Sequence, residues 1–96
     1  MIGGIKKIKV LAGKDSEFES LFNHLKQQVR ENETGNEYYD LYRSKTAPGH
    51  YVVLERYRDQ SALEAHQNST HGALFFPKIR GLLESIEVDY FDAIEK

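Results

Sequence analysis

The stretch Tyr51 to His71 contains the groups of this chain best suited to acid–base chemistry. An imidazole that is neutral near pH 7 can take a proton from an acidic phenol, so His66 is the candidate general base. Glu55 would be costly to bury unpaired, and its expected partner is His66 or Arg43; a rim ion pair with a nearby arginine is the alternative. The stretch predicts either a proton-transfer site or a histidine with a purely structural role.

Other kinds of reactive site find less support in the residues. Since the chain has no cysteine, disulfides, thiolate metal sites and a cysteine nucleophile are excluded. His66 and His71 lack the spacing of three or four that helical metal ligands prefer, so no metal is predicted. Glycine-rich nucleotide motifs are also missing. Lys6, Lys7 and Lys9 are interpreted as one solvated strand face.

The elements that must position these groups follow from hydrophobic periodicity and turn residues. Ser16 to Glu19 fits a capping box, and apolar residues then recur every three or four positions, which predicts a helix over 16–32. Pro77 predicts that the last helix begins late or kinks near Phe76. The other predicted elements are strands at 4–12, 37–44, 50–58 and 85–94, a turn at 46–49, and helices at 60–68 and from 69 or 70.

This order predicts an α+β fold of the ferredoxin-like sandwich type, with a mainly antiparallel four-stranded sheet and helices on one face. The second and third strands carry large apolar groups on both faces, for example Tyr39 against Tyr38 and Val53 against Val52. Helices of one short chain cover only one face, so two sheets are expected to pack together in a homodimer.

Length and charge limit the range of functions. Ninety-six residues make a single domain, 1–96, and a net charge of −2 gives no field that would attract nucleic acid. No apolar run approaches the roughly 18 residues that span a bilayer, and the start of the chain does not resemble a signal peptide. A cytoplasmic protein with neither a nucleic-acid nor a membrane partner is expected.

Three segments resemble the antibiotic biosynthesis monooxygenase family, within the dimeric α+β barrel group. Glu33-Thr34-Gly35-Asn36 with Asp40-Leu41-Tyr42 is similar to the family's turn into its second strand. Leu54-Glu55-Arg56-Tyr57 resembles its strand-end Glu-x-aromatic, and the run from Ala62 to His71 resembles its Ala-Leu-x-x-His helix with the following Ser-x-His. The resemblance covers most of the chain and implies one such domain that pairs into a dimeric barrel.

The resemblance also implies a small cavity between sheet and helices. Its candidate catalytic residues here are His66 and Glu55, and its candidate substrate-binding residues are Tyr39, Tyr51, Tyr57, His71, Phe75 and Ile79. Haem-degrading members share a first-strand Asn, a Trp and a ligand His. This chain has no Asn between Ile2 and Ala12 and no Trp, and Phe76 stands at the position of the ligand His. No cofactor is therefore expected.

The reaction that this resemblance implies is oxidation of a small quinol- or anthrone-like substrate by O2, without a cofactor and with His66 as base. Two alternatives remain open. Glu55 and His66 could shuttle protons in the isomerisation of a small carbonyl compound. The chain could also be a non-enzymatic dimer that binds a metabolite or acts in stress, with a cavity filled by aromatic side chains.

Overall fold

A computed structural model describes residues 1–94 of the chain. Strands and helices follow one another in the predicted order, with boundaries shifted by up to two residues at most ends. The elements are β1 (Ile2–Val10), α1 (Asp15–Asn32), β2 (Asn36–Arg43), β3 (His50–Tyr57), α2 (Gln60–Gln67), α3 (Thr70–Arg80) and β4 (Leu83–Asp92).

The four strands form one antiparallel sheet in the order β2-β3-β1-β4. β2 and β3 pair as the predicted hairpin, and Gly49 in their turn has φ of 79°, a conformation that glycine adopts without steric cost. The central strand β1 aligns Gly4 with Glu55 on one side and with Tyr90 on the other. The sheet therefore places residues from β1, β3 and β4 beside one another on one face.

Strand alternation separates a covered face from an uncovered one. In β3 the residues Tyr51, Val53, Glu55 and Tyr57 are buried, while the residues between them are only partly covered. α1 supplies most of the opposing layer. The core contains Ile8, Val10, Phe18, Phe22, Leu25, Val29, Tyr39, Tyr51, Val53 and Ile79. This confirms the predicted ferredoxin-like α+β fold, with helices on one face of the sheet.

The start of α1 differs from expectation in detail, whereas α3 starts at one of the two predicted residues. α1 begins at Asp15 after Lys14, which makes no side-chain capping bond, so the predicted capping box does not form. α3 begins at Thr70, capped by Ser69, and Pro77 lies inside it. The late start that Pro77 suggested is therefore wrong. No helix within residues 1–94 combines the length and apolar character needed to cross a membrane.

The opposite face of the sheet is not covered by any described element. The hydroxyphenyl group of Tyr42 is 56% exposed and Phe91 is 54% exposed, and Tyr38 is also exposed. Ile5 and Leu54 face each other on the same surface, in register between β1 and β3. This surface, defined by Ile5, Tyr38, Tyr42, Leu54 and Phe91, is called the outer face below.

Candidate functional site

A cavity of about 250 Å³ lies between the inner face of the sheet and the helices. Its walls are mostly apolar, and its polar side chains are few. Arg80, Val88 and Tyr90, which are exposed, mark its mouth between α3 and β4. The lining residues are Lys6, Ile8, Phe18, Phe22, Leu25, Tyr39, Val53, His66, Gln67, Phe76, Ile79, Arg80, Leu83, Ile86, Val88 and Tyr90.

The short helix α2 brings His66 to the wall of this cavity. Asp59 caps the helix by accepting a hydrogen bond from the Ala62 amide at 2.8 Å, which orients its first turn. His66 is only 1% exposed. Its ring lies 5.1 Å from that of Tyr39 and 5.3 Å from those of Tyr57 and Phe76, centre to centre. The imidazole is therefore held in one position by aromatic packing.

His66 is oriented by a carboxylate from the end of α1. Glu33 Oε2 lies 2.8 Å from His66 Nδ1 and also accepts from His71 Nε2. Although burial alone would raise the pKa of Glu33, the hydrogen bonds from the two histidines hold that pKa below its ordinary value. Glu33 is thus an ionised acceptor at neutral pH, so both contacting ring nitrogens must carry a proton.

The same geometry determines what the other nitrogen of His66 can do. With the proton on Nδ1, the neutral ring has its lone pair on Nε2. Nε2 is buried and has no hydrogen-bond partner among residues 1–94. An unpaired buried acceptor is costly and points to a ligand group that would satisfy it. A buried lone pair beside an apolar cavity is suited to taking a proton from a bound hydroxyl group.

Ser69 joins the two helices that carry the histidines. Its hydroxyl donates to the His66 carbonyl at 2.7 Å and accepts from the Gly72 amide at 3.0 Å, as the cap of α3. Gly72 has no room for a side chain, because a Cβ there would come within 2.5 Å of the Phe76 ring. The junction therefore places His71 in the first turn of α3, on the Glu33 side of His66.

Glu55 is fully buried, at 0% exposure, but it does not contact His66. The Tyr57 hydroxyl donates to its Oε1 at 3.1 Å, and Lys6 Nζ lies 3.0 Å from its Oε2 without the alignment of a hydrogen bond. Arg43 instead pairs with Glu19. The expected pairing of Glu55 with His66 or Arg43 is therefore wrong, and so is the interpretation as a rim ion pair.

The structure brings only some of the candidate residues to the cavity. Tyr39 and Ile79 line it with His66. Burial, and then the charge of Glu55, raise the pKa of Tyr39, so its hydroxyl stays protonated. Tyr57 lies behind the wall; burial and the nearby Glu55 likewise raise its pKa.

The other candidates do not line the cavity. Tyr51 lies toward the start of α1, where its hydroxyl hydrogen-bonds Asp15 at 3.0 Å and also Glu19. Phe75 and His71 border a separate surface depression beside Leu74. A single pocket therefore does not contain the whole predicted set.

Sequence reasoning missed Glu33, Lys6 and Phe76. Glu33 was interpreted as part of a turn, yet it caps the C-terminal end of α1, four residues after the buried Val29. Lys6 has the same strand parity as Ile8, which is buried, so Lys6 points inward and is not part of a solvated face with Lys7. Phe76 packs on His66 from α3.

Within residues 1–94, Glu33, His66 and His71 form a group that could hold a metal ion. One ligand atom from each lies within 4.8 Å of the others. The spacing of His66 and His71 did not reveal this group, because the third ligand, Glu33, lies just after α1 and far from both histidines in the sequence. In the geometry described, both histidine nitrogens already donate to Glu33. A cation would have to displace the two protons that make these bonds.

The sequence model of the antibiotic biosynthesis monooxygenase family matches residues 1–77. This chain belongs to that family. The matched part contains β1 through most of α3, including both histidines, Glu33 and Glu55. The predicted resemblance is thereby confirmed.

Relatives in the antibiotic biosynthesis monooxygenase family cover most of the chain. A Bacillus subtilis protein named "Putative monooxygenase YcnE" is 35% identical over 81% of each chain. A "putative antibiotic biosynthesis monooxygenase" structure from Caulobacter crescentus is 35% identical, with a TM-score of 0.93 over 98% of this chain and 90% of that one. Rv0793 from Mycobacterium tuberculosis is 26% identical, with a TM-score of 0.88 over 99% and 96%.

Proposed function

We propose that this chain is a cofactor-free monooxygenase that oxidises a small quinol-like hydroxyarene with O2. The proposal rests on the geometry of His66, which lines the cavity. Its Nδ1 donates to the Glu33 carboxylate, and its buried Nε2 has no hydrogen-bond partner among residues 1–94. His66 is the general base, and Glu33 is the residue that positions it. The family and the name of the Bacillus relative support a monooxygenase-type reaction.

The proposed reaction begins when His66 Nε2 takes the proton of a substrate hydroxyl. The resulting anion passes one electron to O2, and the two radicals combine to form a carbon–oxygen bond. The imidazolium returns its proton to the peroxide. The O–O bond then breaks: one oxygen stays in the product as a carbonyl, and the other leaves as water with the single hydrogen of the oxidised ring carbon and the proton that the imidazolium returned. Four electrons leave the substrate and four reduce O2, so no external reductant is needed.

The cavity supports a substrate of one or two fused rings. An engineered cavity of about 150 Å³ can hold benzene, so about 250 Å³ leaves room for ring substituents or part of a second ring. Apolar walls from Ile8, Phe22 and Val53 exclude water, which protects a reactive anion from protonation by solvent. We therefore favour a quinol over a three-ring anthrone.

Oxygen uptake by His66 variants tests this proposal. His66→Ala should lower kcat for the best substrate of a hydroquinone and naphthohydroquinone panel by about 100-fold or more, since it removes the general base. His24→Ala, at an exposed position of α1, is the matched control and should retain full activity. With labelled O2, one labelled oxygen should enter the product. Unchanged uptake by His66→Ala would contradict the assignment.

The isomerase alternative receives less support from the geometry. A proton shuttle between Glu55 and His66 needs both groups at the substrate, yet Glu55 is not among the residues that line the cavity. It contacts Lys6 and Tyr57 instead. Anaerobic incubation discriminates between the reactions, because an isomerase would turn over without oxygen and the proposed monooxygenase would not.

We propose further that the active form is a homodimer. The outer face carries exposed aromatic side chains at Tyr38, Tyr42 and Phe91 that no described element covers. Several exposed aromatic side chains on one sheet face are unfavourable in a small monomer and favour a face-to-face pair of sheets. A second copy of the chain is the proposed occupant. It would bury the outer face while each cavity stays within its own subunit.

A further inference from the structure

Lys6 places a positive charge in the wall of a mostly apolar cavity. It lies on the inner face of β1, and its side chain is only 14% exposed. Its Nζ lies 5.5 Å from the centre of the Tyr39 ring, which His66 also contacts. Because Lys6 comes from the sheet and His66 from the helical layer, the two side chains reach the cavity from opposite layers. The proposed proton transfer to His66 does not involve Lys6.

Glu55 keeps this ammonium group in place. Its carboxylate is fully buried, receives the Tyr57 hydroxyl on one oxygen, and lies 3.0 Å from Lys6 Nζ at the other. Gly4 on β1 gives it space, since a Cβ there would come within 2.7 Å of Glu55 Cγ. Lys6 lines the cavity and Glu55 does not. A bound ligand would therefore contact the cation rather than the carboxylate behind it.

The ammonium group has hydrogen-bonding capacity left for a ligand. A lysine ammonium carries three donors, and the contact with Glu55 Oε2 lacks hydrogen-bond alignment. The other titratable groups that line the cavity are Tyr39, His66, Arg80 and Tyr90. Burial raises the pKa of Tyr90, as it does that of Tyr39, so both remain neutral phenols. Arg80 lies at the mouth, which leaves Lys6 as the internal cation.

We infer that Lys6 is a catalytic residue that stabilises the substrate oxygen on which negative charge develops, and that Glu55 is its positioning residue. This inference rests on the proposed function and specifies its substrate class. Within the proposed hydroxyarenes, the substrate carries a hydroxyl group and a carbonyl group conjugated through one ring system, as in a hydroxyaryl ketone. His66 removes the proton from one oxygen, and conjugation delivers charge to the other oxygen at Lys6.

The ionisation of a bound chromogenic phenol tests the inference without turnover. 4-Nitrophenol has a hydroxyl and a nitro group conjugated through one ring, and its phenolate absorbs visible light. The wild-type protein should bind it with a pKa lower than that of the free phenol. In Lys6→Met the pKa of bound 4-nitrophenol should be higher than in wild type by about one unit, a roughly tenfold change, because the nearby cation is lost. Lys7→Met, on the opposite face of β1, should match wild type.

A double variant controls for misfolding of the single variant Lys6→Met. Lys6→Met alone leaves a buried carboxylate without its cation, so Lys6→Met with Glu55→Gln removes both charges together. The double variant should bind 4-nitrophenol as the neutral phenol. Equal pKa values of the bound probe in wild type and in both Lys6 variants would overturn the inference, and so would failure of the wild-type protein to bind the probe.

Oxygen uptake separates this inference from the proposed function. If uptake depends on His66 but is equal in Lys6→Met and Lys7→Met, the monooxygenase assignment stands and the role of Lys6 is refuted. If no hydroxyarene is oxidised while ionisation of the probe still depends on Lys6, the anion-stabilising site stands and the oxygenase assignment fails.

Discussion

His66 Nδ1 lies 2.8 Å from Glu33 Oε2, although the two residues are 33 positions apart in the chain. Glu33 follows the last turn of α1, and His66 lies near the end of α2. The contact aligns a carboxylate, an imidazole and a buried cavity in that order. Such an arrangement keeps one tautomer of the histidine dominant and leaves its second nitrogen available as a base.

Glu33→Gln should weaken catalysis while leaving the cavity in place. A neutral amide favours the required tautomer less than a carboxylate does, so we expect kcat to fall by about 10- to 100-fold. Nitrogen NMR of labelled histidine should show the proton on Nδ1 in the wild type and a mixture of tautomers in the variant. Glu31→Gln, on the exposed surface of α1, is the control. A variant with an unchanged tautomer and unchanged kcat would show that Glu33 has no positioning role.

Glu33 should also make stability depend on pH in the acidic range. Its pKa is lower in the folded state than the ordinary value of about 4.3, so the unfolded chain binds more protons as the pH falls. The stabilisation is complete above about pH 4.3 and is lost as the pH drops through the folded-state pKa. Glu19, whose pKa is lowered by hydrogen bonds from Arg43 and Tyr51, has the same sign.

Urea unfolding between pH 3 and pH 7 measures this dependence. In Glu33→Gln the free energy of unfolding at pH 7 should be about 2 kcal/mol lower, since charged hydrogen bonds to two histidines are replaced by neutral ones. The acid-induced loss of stability should be smaller than in the wild type, with the remainder due to groups such as Glu19. An equally steep loss in both proteins would contradict the lowered pKa of Glu33.

Gly4→Ala should destabilise the sheet at the Glu55 site. The new Cβ would lie 2.7 Å from Glu55 Cγ and 3.0 Å from Tyr90 Cε1, so side chains in a packed region must move. We expect a loss of about 1–3 kcal/mol in the free energy of unfolding, measured by urea denaturation. A Cβ at Gly3 would lie 4.0 Å from the Glu55 carbonyl oxygen, so Gly3→Ala should be neutral or slightly stabilising. Similar losses in both variants would argue against a specific clash.

Tyr42→Lys should disrupt the proposed dimer. The substitution puts a further charge on the part of the outer face contributed by β2, which a second sheet would cover, and this is unfavourable once water is removed. Light scattering at micromolar concentration should find a dimer for the wild type and for His24→Lys, an exposed helix control, and a monomer for Tyr42→Lys. A monomeric wild type would refute the proposed assembly.

Much of the fold could be predicted because short-range patterns determine it. The spacing of Phe18, Phe22, Leu25 and Val29 predicted α1, and alternation in β3 indicated which of its side chains share a face. Alternation along a strand shows which face each side chain is on, but not which part of the opposing layer that side chain meets. Tyr51 is on the same face of β3 as Glu55 but four residues away, about 13 Å along the strand. It therefore packs beside the start of α1 and does not line the cavity.

The pairings of charged groups were harder to predict from the sequence. Glu55 pairs with Lys6 because β1 lies between β3 and β4, an order that local patterns do not specify. Glu33 reaches His66 only after α1 and α2 dock against the same part of the sheet. Such contacts depend on the relative positions of whole elements, so they follow from tertiary packing rather than from spacing.

The family match ends at residue 77, whereas β4 begins at Leu83 and supplies Ile86, Val88 and Tyr90 to the cavity wall. The family match therefore covers the part of the wall that holds His66 and Lys6, and it does not extend to the part on this edge strand. Val88 and Tyr90 are exposed, so replacing them would alter few core contacts. Descendants of one ancestral scaffold could in this way acquire new substrate preferences by mutating a margin of the sheet, while the proton-transfer machinery stayed intact.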